Sequence, residues 1–145
     1  MNQEQAVRRL KFVACAGACA VASLFLGACN RDNSQDHLAR AKELAAKNDH
    51  RGAVIELKNS LQGNSQSPEA RYLLGRELLA QGDPKNAEIE LQKAYDQKFD
   101  PDLTVPLLIK SQMLQGQLEK VVKQVPTVTV TSPTANAELQ SLLGV

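Results

Sequence analysis

Ala41-Lys-Glu-Leu-Ala-Ala-Lys-Asn-Asp-His-Arg-Gly-Ala-Val-Ile-Glu-Leu-Lys-Asn-Ser60 is followed, 34 residues on, by Gly75-Arg-Glu-Leu-Leu-Ala-Gln-Gly-Asp-Pro-Lys-Asn-Ala-Glu-Ile-Glu-Leu-Gln-Lys-Ala94. Ala41 falls on Gly75, Leu44 on Leu78, Ala53 on Ala87, Leu57 on Leu91 and Ser60 on Ala94. The turn residues step by the same interval, from Asn48-Asp49 to Gly82-Asp83 to Gly116-Gln117. A fixed period of this length marks a helix–turn–helix unit that stacks into a solenoid. The expected fold class is therefore all-α. Stacked repeats present extended surfaces for partners, so the period points to a binding module rather than a catalyst.

Working outward, repeat 1 is read as a first helix from about Asp36 to Lys47 and a second from His50 to Leu61. Repeat 2 is read as Pro68 to Ala80 and Pro84 to Gln97. Ser67-Pro68 and Asp83-Pro84 each set a capping side chain before a proline at the first helical position. Asp49 can cap the second helix of repeat 1, and Gly82 suits the left-handed residue that ends a helix. Gly63-Asn64-Ser65-Gln66 reads as the loop between repeats. Ala41, Gly75, Ala53, Ala87 and Ala94 are small where helices must cross closely, and Leu44, Leu78, Leu57 and Leu91 fill the space between.

The register continues through Leu108, Gly116 and Val121 into a weaker third repeat. Its first helix begins at Pro101 or Pro106, and its second, from about Gln117 to Val125, stops at Pro126. Thr127-Val-Thr-Val-Thr131 alternates like a strand, but no partner strand is visible, so an extended linker is expected. Ser132-Pro133 opens a last helix reaching Leu142-Leu143-Gly144. It reads as the first helix of a truncated fourth repeat, or alternatively as a cap. About three repeats are thus expected over residues 37–145.

The N-terminal segment reads differently. Arg8, Arg9 and Lys11 precede an uncharged stretch from Phe12 to Phe25, and Leu26-Gly27-Ala28-Cys29 follows at once. This order is that of a secretory signal, and its apolar part is short for a bilayer span. The Leu-Gly-Ala-Cys sequence resembles a bacterial lipobox. That resemblance implies that residues 1–28 are removed, that Cys29 is lipidated, and that a membrane anchor results. Residues 29–36 are polar and read as a tether. The whole chain holds 17 Lys and Arg against 16 Asp and Glu. Without Arg8, Arg9, Lys11 and Glu4 the balance turns to about −1, far from the basic face of a nucleic-acid binder. Cys15 and Cys19 leave with the signal, so neither a disulfide nor a Cys-x-x-Cys metal site is expected in the mature chain.

Residues 37–99 resemble the tetratricopeptide repeat family, through the small residues Ala41 and Gly75, Ala53 and Ala87, and Ser60 and Ala94. The resemblance implies a right-handed superhelical solenoid of helix–turn–helix repeats whose first helices line a concave groove. Two departures stand out. Where the family carries a large aromatic on the first helix, this chain has His37 and Arg71. Where the family carries a proline after the second helix, it has Ser65 and Phe99. Successive first helices would present Lys42, Arg76 and Lys110, each 34 apart, as a cationic row, with Tyr72 one turn before Arg76. Such a row suits an acidic peptide segment, a terminal carboxylate or a polyanionic sugar.

A narrower resemblance runs through Ala53-Val-Ile-Glu-Leu-Lys-Asn-Ser-Leu-Gln62 and Glu69-Ala-Arg-Tyr-Leu-Leu-Gly75. Together with the lipobox, these stretches are similar to the tetratricopeptide lipoproteins of PEP-CTERM/exosortase systems in Gram-negative bacteria. That implies a membrane-anchored scaffold for protein–protein interaction in exopolysaccharide production or protein sorting, with protein partners or envelope polysaccharide machinery. It faces the periplasm, with the outer membrane favoured because Asn30 rather than Asp follows Cys29. Two alternatives remain: a general periplasmic, outer-membrane or pilus assembly lipoprotein, and an accessory module of a longer enzyme. No enzymatic activity, cofactor or metal is expected. No GxSxG, HExxH, P-loop or GxGxxG pattern occurs, and His37 and His50 lack metal-ligand spacing. Glu56, Glu88 and Glu90 read as ordinary helix-face charges.

Overall fold

The structure, a computed structural model, describes residues 28–144, with side chains from residue 33. The expected signal segment, apart from the backbone of Ala28, and the side chain of Cys29 lie outside the described residues. Among the described residues seven α-helices follow one another: α1 (Ala28–Ala46), α2 (His50–Gly63), α3 (Pro68–Ala80), α4 (Pro84–Asp96), α5 (Pro101–Leu114), α6 (Leu118–Gln124) and α7 (Pro133–Leu143). Among the described residues there is no strand. From α1 to α6 each helix packs against the next in the chain, and α7 returns onto α5. This is an all-helical protein built as consecutive packed helices.

The 34-residue interval governs backbone geometry. Asn48, Gly82 and Gly116 adopt φ of 59°, 76° and 71°. The next residues donate their N–H back to the preceding helix in the same way: Asp49 to Leu44 (2.9 Å), Asp83 to Leu78 (2.9 Å) and Gln117 to Gln112 (3.0 Å). Asn48, Gly82 and Gly116 themselves donate to Ala45, Leu79 and Met113 at 2.9–3.0 Å. These are paired Schellman bonds, which satisfy the last carbonyls of a helix around one left-handed residue. The same turn is thus built three times at this interval, and once more off it at the end of α4, where Lys98 (φ 62°) donates to Tyr95 and Phe99 to Ala94.

Caps begin most helices. Asp49 accepts from Gly52 N at 2.9 Å, Ser67 from Ala70 N at 3.3 Å, Asp83 from Asn86 N at 3.2 Å and Ser132 from Thr134 N at 3.2 Å. α5 begins at Pro101, with Asp100 accepting from Asp102 N at 2.9 Å, so Pro106 lies inside the helix. α6 has no side-chain cap bond and only 7 residues, in keeping with the weak third repeat.

The first helix starts earlier than its sequence pattern indicates. Residues 29–36, read from the sequence as a polar tether, lie within α1, which starts at Ala28. Ser34, Leu38 and Ala41 fall at i, i+4 and i+7, all buried. Ser34 also accepts the Ser60 hydroxyl on its carbonyl at 2.8 Å. A helix that starts early therefore adds one more buried turn against α2.

The core has two parts. The first joins α1 to α5 through Leu38, Leu57, Leu74, Leu78, Leu91 and Leu108. The second gathers Val105, Ile109, Val121 and Leu139 from α5, α6 and α7. The segment after the short 3-10 turn Val125–Thr127 is irregular and extended. Its Val128 and Val130 pack on the second core, while Thr127, Thr129 and Thr131 are exposed. Its alternation serves an extended linker. Gly75 marks a close crossing of α3 and α4: a Cβ there would lie 2.5 Å from Leu91 Cγ.

Candidate partner-binding face

The cationic row sits on the first helices as the register requires, on α1, α3 and α5, but two of its members are already engaged. Lys42 Nζ lies 2.7 Å from Glu69 Oε1 on α3, with both side chains about half exposed. Arg76 Nε and Nη2 both reach Glu77 Oε1, at 2.9 and 2.8 Å. Glu77 is buried, with its side chain 4% exposed, and its second oxygen meets His50 Nδ1 at 2.7 Å. Arg76 is therefore held in place by a buried carboxylate that also fixes α2. Lys110 is exposed and has no ion-pair partner among the described residues.

Lys42 and Arg76 border one shallow crevice with Ala41, Ala45, Leu73 and Glu77, and Lys110 lies outside it. Tyr72 does not stand free as a groove aromatic. It is 9% exposed and stacks on Phe99, with ring centroids 5.0 Å apart and planes at 26°. Burial pushes its hydroxyl above the ordinary tyrosine value; the nearby Arg76 guanidinium opposes this, while Glu138 and Asp100 add to it. Tyr72 accordingly stays protonated and offers a neutral hydroxyl beside Arg76. The face is a mixed row of cations and carboxylates, in which Lys42 is paired with Glu69 and Lys110 has no ion-pair partner among the described residues.

The structure adds polar links that sequence reading did not assemble. His37 Nδ1 meets Glu56 Oε2 at 2.5 Å, and Arg71 Nη1 meets Glu90 Oε2 at 2.5 Å. His37 and Arg71 are 34 apart, as are Glu56 and Glu90. His37 and Arg71 are thus each one half of a repeated side-chain link between first and second helices. Between repeats, Gln81 Nε2 donates to His50 O at 2.8 Å, and Gln115 Nε2 to Pro84 O at 3.2 Å. These donors and acceptors again differ by 34.

Glu88 forms the densest of these links. It accepts from Gln115 at 2.7 Å, from Gln117 at 3.1 Å and from Lys120 Nζ. Burial pushes its carboxyl up, yet these donors together outweigh burial and hold it below the ordinary glutamate value. Asp102 accepts from Thr131 N at 2.6 Å, Thr131 Oγ1 at 2.7 Å and Ser132 N at 3.0 Å. Those bonds lower its carboxyl and tie α5 to the start of α7. His37 and His50 belong to these pairs, and no cluster of three or more His, Cys, Asp or Glu suited to a metal occurs among the described residues.

Comparison of the sequence with protein-family models gives no match, and comparison with curated proteins gives no significant relative. Among the described residues no helix is long and apolar enough to cross a membrane.

Proposed function

We infer that this chain is a tetratricopeptide-type scaffold of the cell envelope. In this reading its repeats form a right-handed superhelical solenoid and Cys29 carries a lipid anchor. The first-helix face, through Lys42, Arg76 and Lys110, takes an acidic segment of a protein partner. The observation that carries the reading is the 34-residue recurrence of the left-handed turn at Asn48, Gly82 and Gly116 with its paired hydrogen bonds. The recurrence extends to the Gln81 and Gln115 links between repeats. Residues 53–62 and 69–75, with the lipobox before them, favour a role in PEP-CTERM/exosortase-associated exopolysaccharide production or protein sorting.

Arg76→Glu would set a new carboxylate against buried Glu77, so the binding test uses Lys42→Glu with Lys110→Glu and Arg76→Gln. The expected result is loss of capture of an envelope partner with unchanged helicity. Unchanged capture refutes the role of this face. Intact mass of protein extracted from Gram-negative membranes tests the anchor: a mass of Cys29 onward plus acyl chains is expected. An unacylated or full-length mass removes the anchor and leaves a helical-repeat binding module.

A further inference from the structure

The second helices divide their charges by depth. Glu56, Glu88 and Glu90 are turned inward, with side-chain exposures of 22%, 12% and 15%; Glu56 is held by the His37 ring, and Glu88 and Glu90 by ion pairs. The cations on the same helices stay out: Arg51, Lys58, Lys85, Lys93, Lys120 and Lys123 are all exposed, against only Asp96 and Glu119 among the exposed carboxylates. Lys93 and Lys120 reach inward to Glu90 and Glu88, and the Asp83 carboxyl, held low first by its hydrogen bonds from Asn86, is lowered further by Lys58 and Lys85. Arg51, Lys58 and Lys85 have no ion-pair partner within 4.0 Å among the described residues.

Four large apolar side chains stand among these cations: Leu118 and Val122 on the short α6, and one each on α2 and α4. Ile55 is 59% exposed and Ile89 46%, and they are 34 apart. On α2, Arg51, Ile55 and Lys58 fall at i, i+4 and i+7, one stripe of the helix. On α4, Lys85 and Ile89 repeat the first two positions. The first helices show no such bias: exposed Arg40, Lys42 and Lys110 are matched by exposed Asp36, Glu43 and Glu138.

We propose that the outer face of α2 and α4 rests on an anionic phospholipid surface, with Ile55 and Ile89 at the headgroup level and Arg51, Lys58 and Lys85 over the lipid phosphates. Exposed apolar residues flanked by cations are the chemistry of interfacial binding, and basic side chains are drawn to the negative surface potential of such a membrane. A protein with a single-point anchor would thereby lie on the bilayer with a fixed side down. This leaves the first-helix face open. The inference rests on the envelope reading only for where such a surface is met, and binding to vesicles tests it separately from partner capture.

The chain contains no Trp, so Ile55→Trp in the full chain is a unique reporter. Its emission is compared on phosphatidylglycerol-containing and phosphatidylcholine vesicles, beside Lys110→Trp as a reporter on the first-helix face. Residues 1–27 are present in every variant and cannot distinguish the two reporters. The expected result is a blue shift and quenching by brominated lipid for Ile55→Trp on the anionic vesicles, with neither for Lys110→Trp. Adding Arg51→Glu, Lys58→Glu and Lys85→Glu should remove the shift, each lost cation weakening partitioning roughly fivefold. Solvent-like Ile55→Trp emission on anionic vesicles that carry the protein overturns the proposal. So does a shift equal at both reporters, or one that survives charge reversal.

Discussion

Removing the Arg71–Glu90 pair should destabilise the protein much more than removing Lys42–Glu69, although the two contacts are of similar length. The distances are 2.5 and 2.7 Å, but the side-chain exposures are 14% and 15% for the first and 49% and 44% for the second. At an effective dielectric near 20 the gross attraction at 2.5 Å is about 7 kcal/mol. Desolvation of two nearly covered charges takes most of it back. What remains is the net value of a charge-assisted hydrogen bond, ~1.5–3 kcal/mol. The exposed pair should give at most ~1 kcal/mol. The assay is a double-mutant cycle, Arg71→Met with Glu90→Gln and Lys42→Met with Glu69→Gln, read by urea unfolding at 222 nm. Arg71 also donates to Ser65 O at 2.7 Å, and Glu90 also holds Lys93. Those losses occur in the single variants and cancel in the coupling. Val105 takes the same register position in α5 and is fully buried. An apolar replacement of both partners, Arg71→Met with Glu90→Leu, should therefore recover most of the loss. A coupling below about 0.5 kcal/mol at Arg71–Glu90, or equal coupling in the two cycles, would refute the argument from burial.

Gly75→Ala should lower the urea midpoint. The new Cβ meets Leu91 Cγ at 2.5 Å, and overpacking of ~1–3 kcal/mol exceeds the ~1 kcal/mol gained in helix propensity; a raised midpoint would show that α3 and α4 can separate freely. At the repeated turn, Gly82→Ala at φ 76° should cost ~1–2 kcal/mol, while Asn48→Gly at φ 59° should be neutral or stabilising. Thermal melts of the two variants moving in the same direction would contradict this. Asp83, Glu88 and Asp102 all titrate below their ordinary values in the folded protein. Their stabilisation is complete above the ordinary carboxylate range and lost as pH falls through the lowered values. The urea midpoint should fall below about pH 4.5, and Glu88→Gln should flatten that fall; a midpoint indifferent to acid would exclude these links as a source of stability.

The period made repeats 1 and 2 legible, because turn, cap and small-residue signals each recur in the linear sequence. The early start of α1 was not, since Asn30 to Asp36 carries no apolar periodicity. Ser34, which turns inward there, is polar, and the Ser60 hydroxyl donates to its carbonyl. The His37–Glu56 and Arg71–Glu90 pairs were visible as two separate 34-residue steps. They were not read as partners because helical spacing relates residues on one helix, and these contacts cross two. The positions of Lys42, Arg76 and Lys110 were likewise readable from register. Which of them is free was not, because Glu77 is a core residue that carries a charge.

That last point explains how the third repeat is held. At its register positions Val105 replaces Arg71, and Gln124 replaces Glu90 and turns to Gln112 Nε2 at 2.8 Å. α6 is short and lacks a side-chain cap bond at its start. The third repeat therefore has no internal ion pair of the kind that ties first helix to second in the other two. Its donors Gln115, Gln117 and Lys120 instead converge on Glu88, a residue of the repeat before it. A charge that looks like surface decoration on α4 is the acceptor that seats the next turn and its helix. Because a repeat array gains stability mainly from contacts with neighbours, the seam between α4 and the Gly116 turn is where the third repeat borrows its order from the second. The carboxylates drawn into such seams are also what leave the outer face of the second helices cationic.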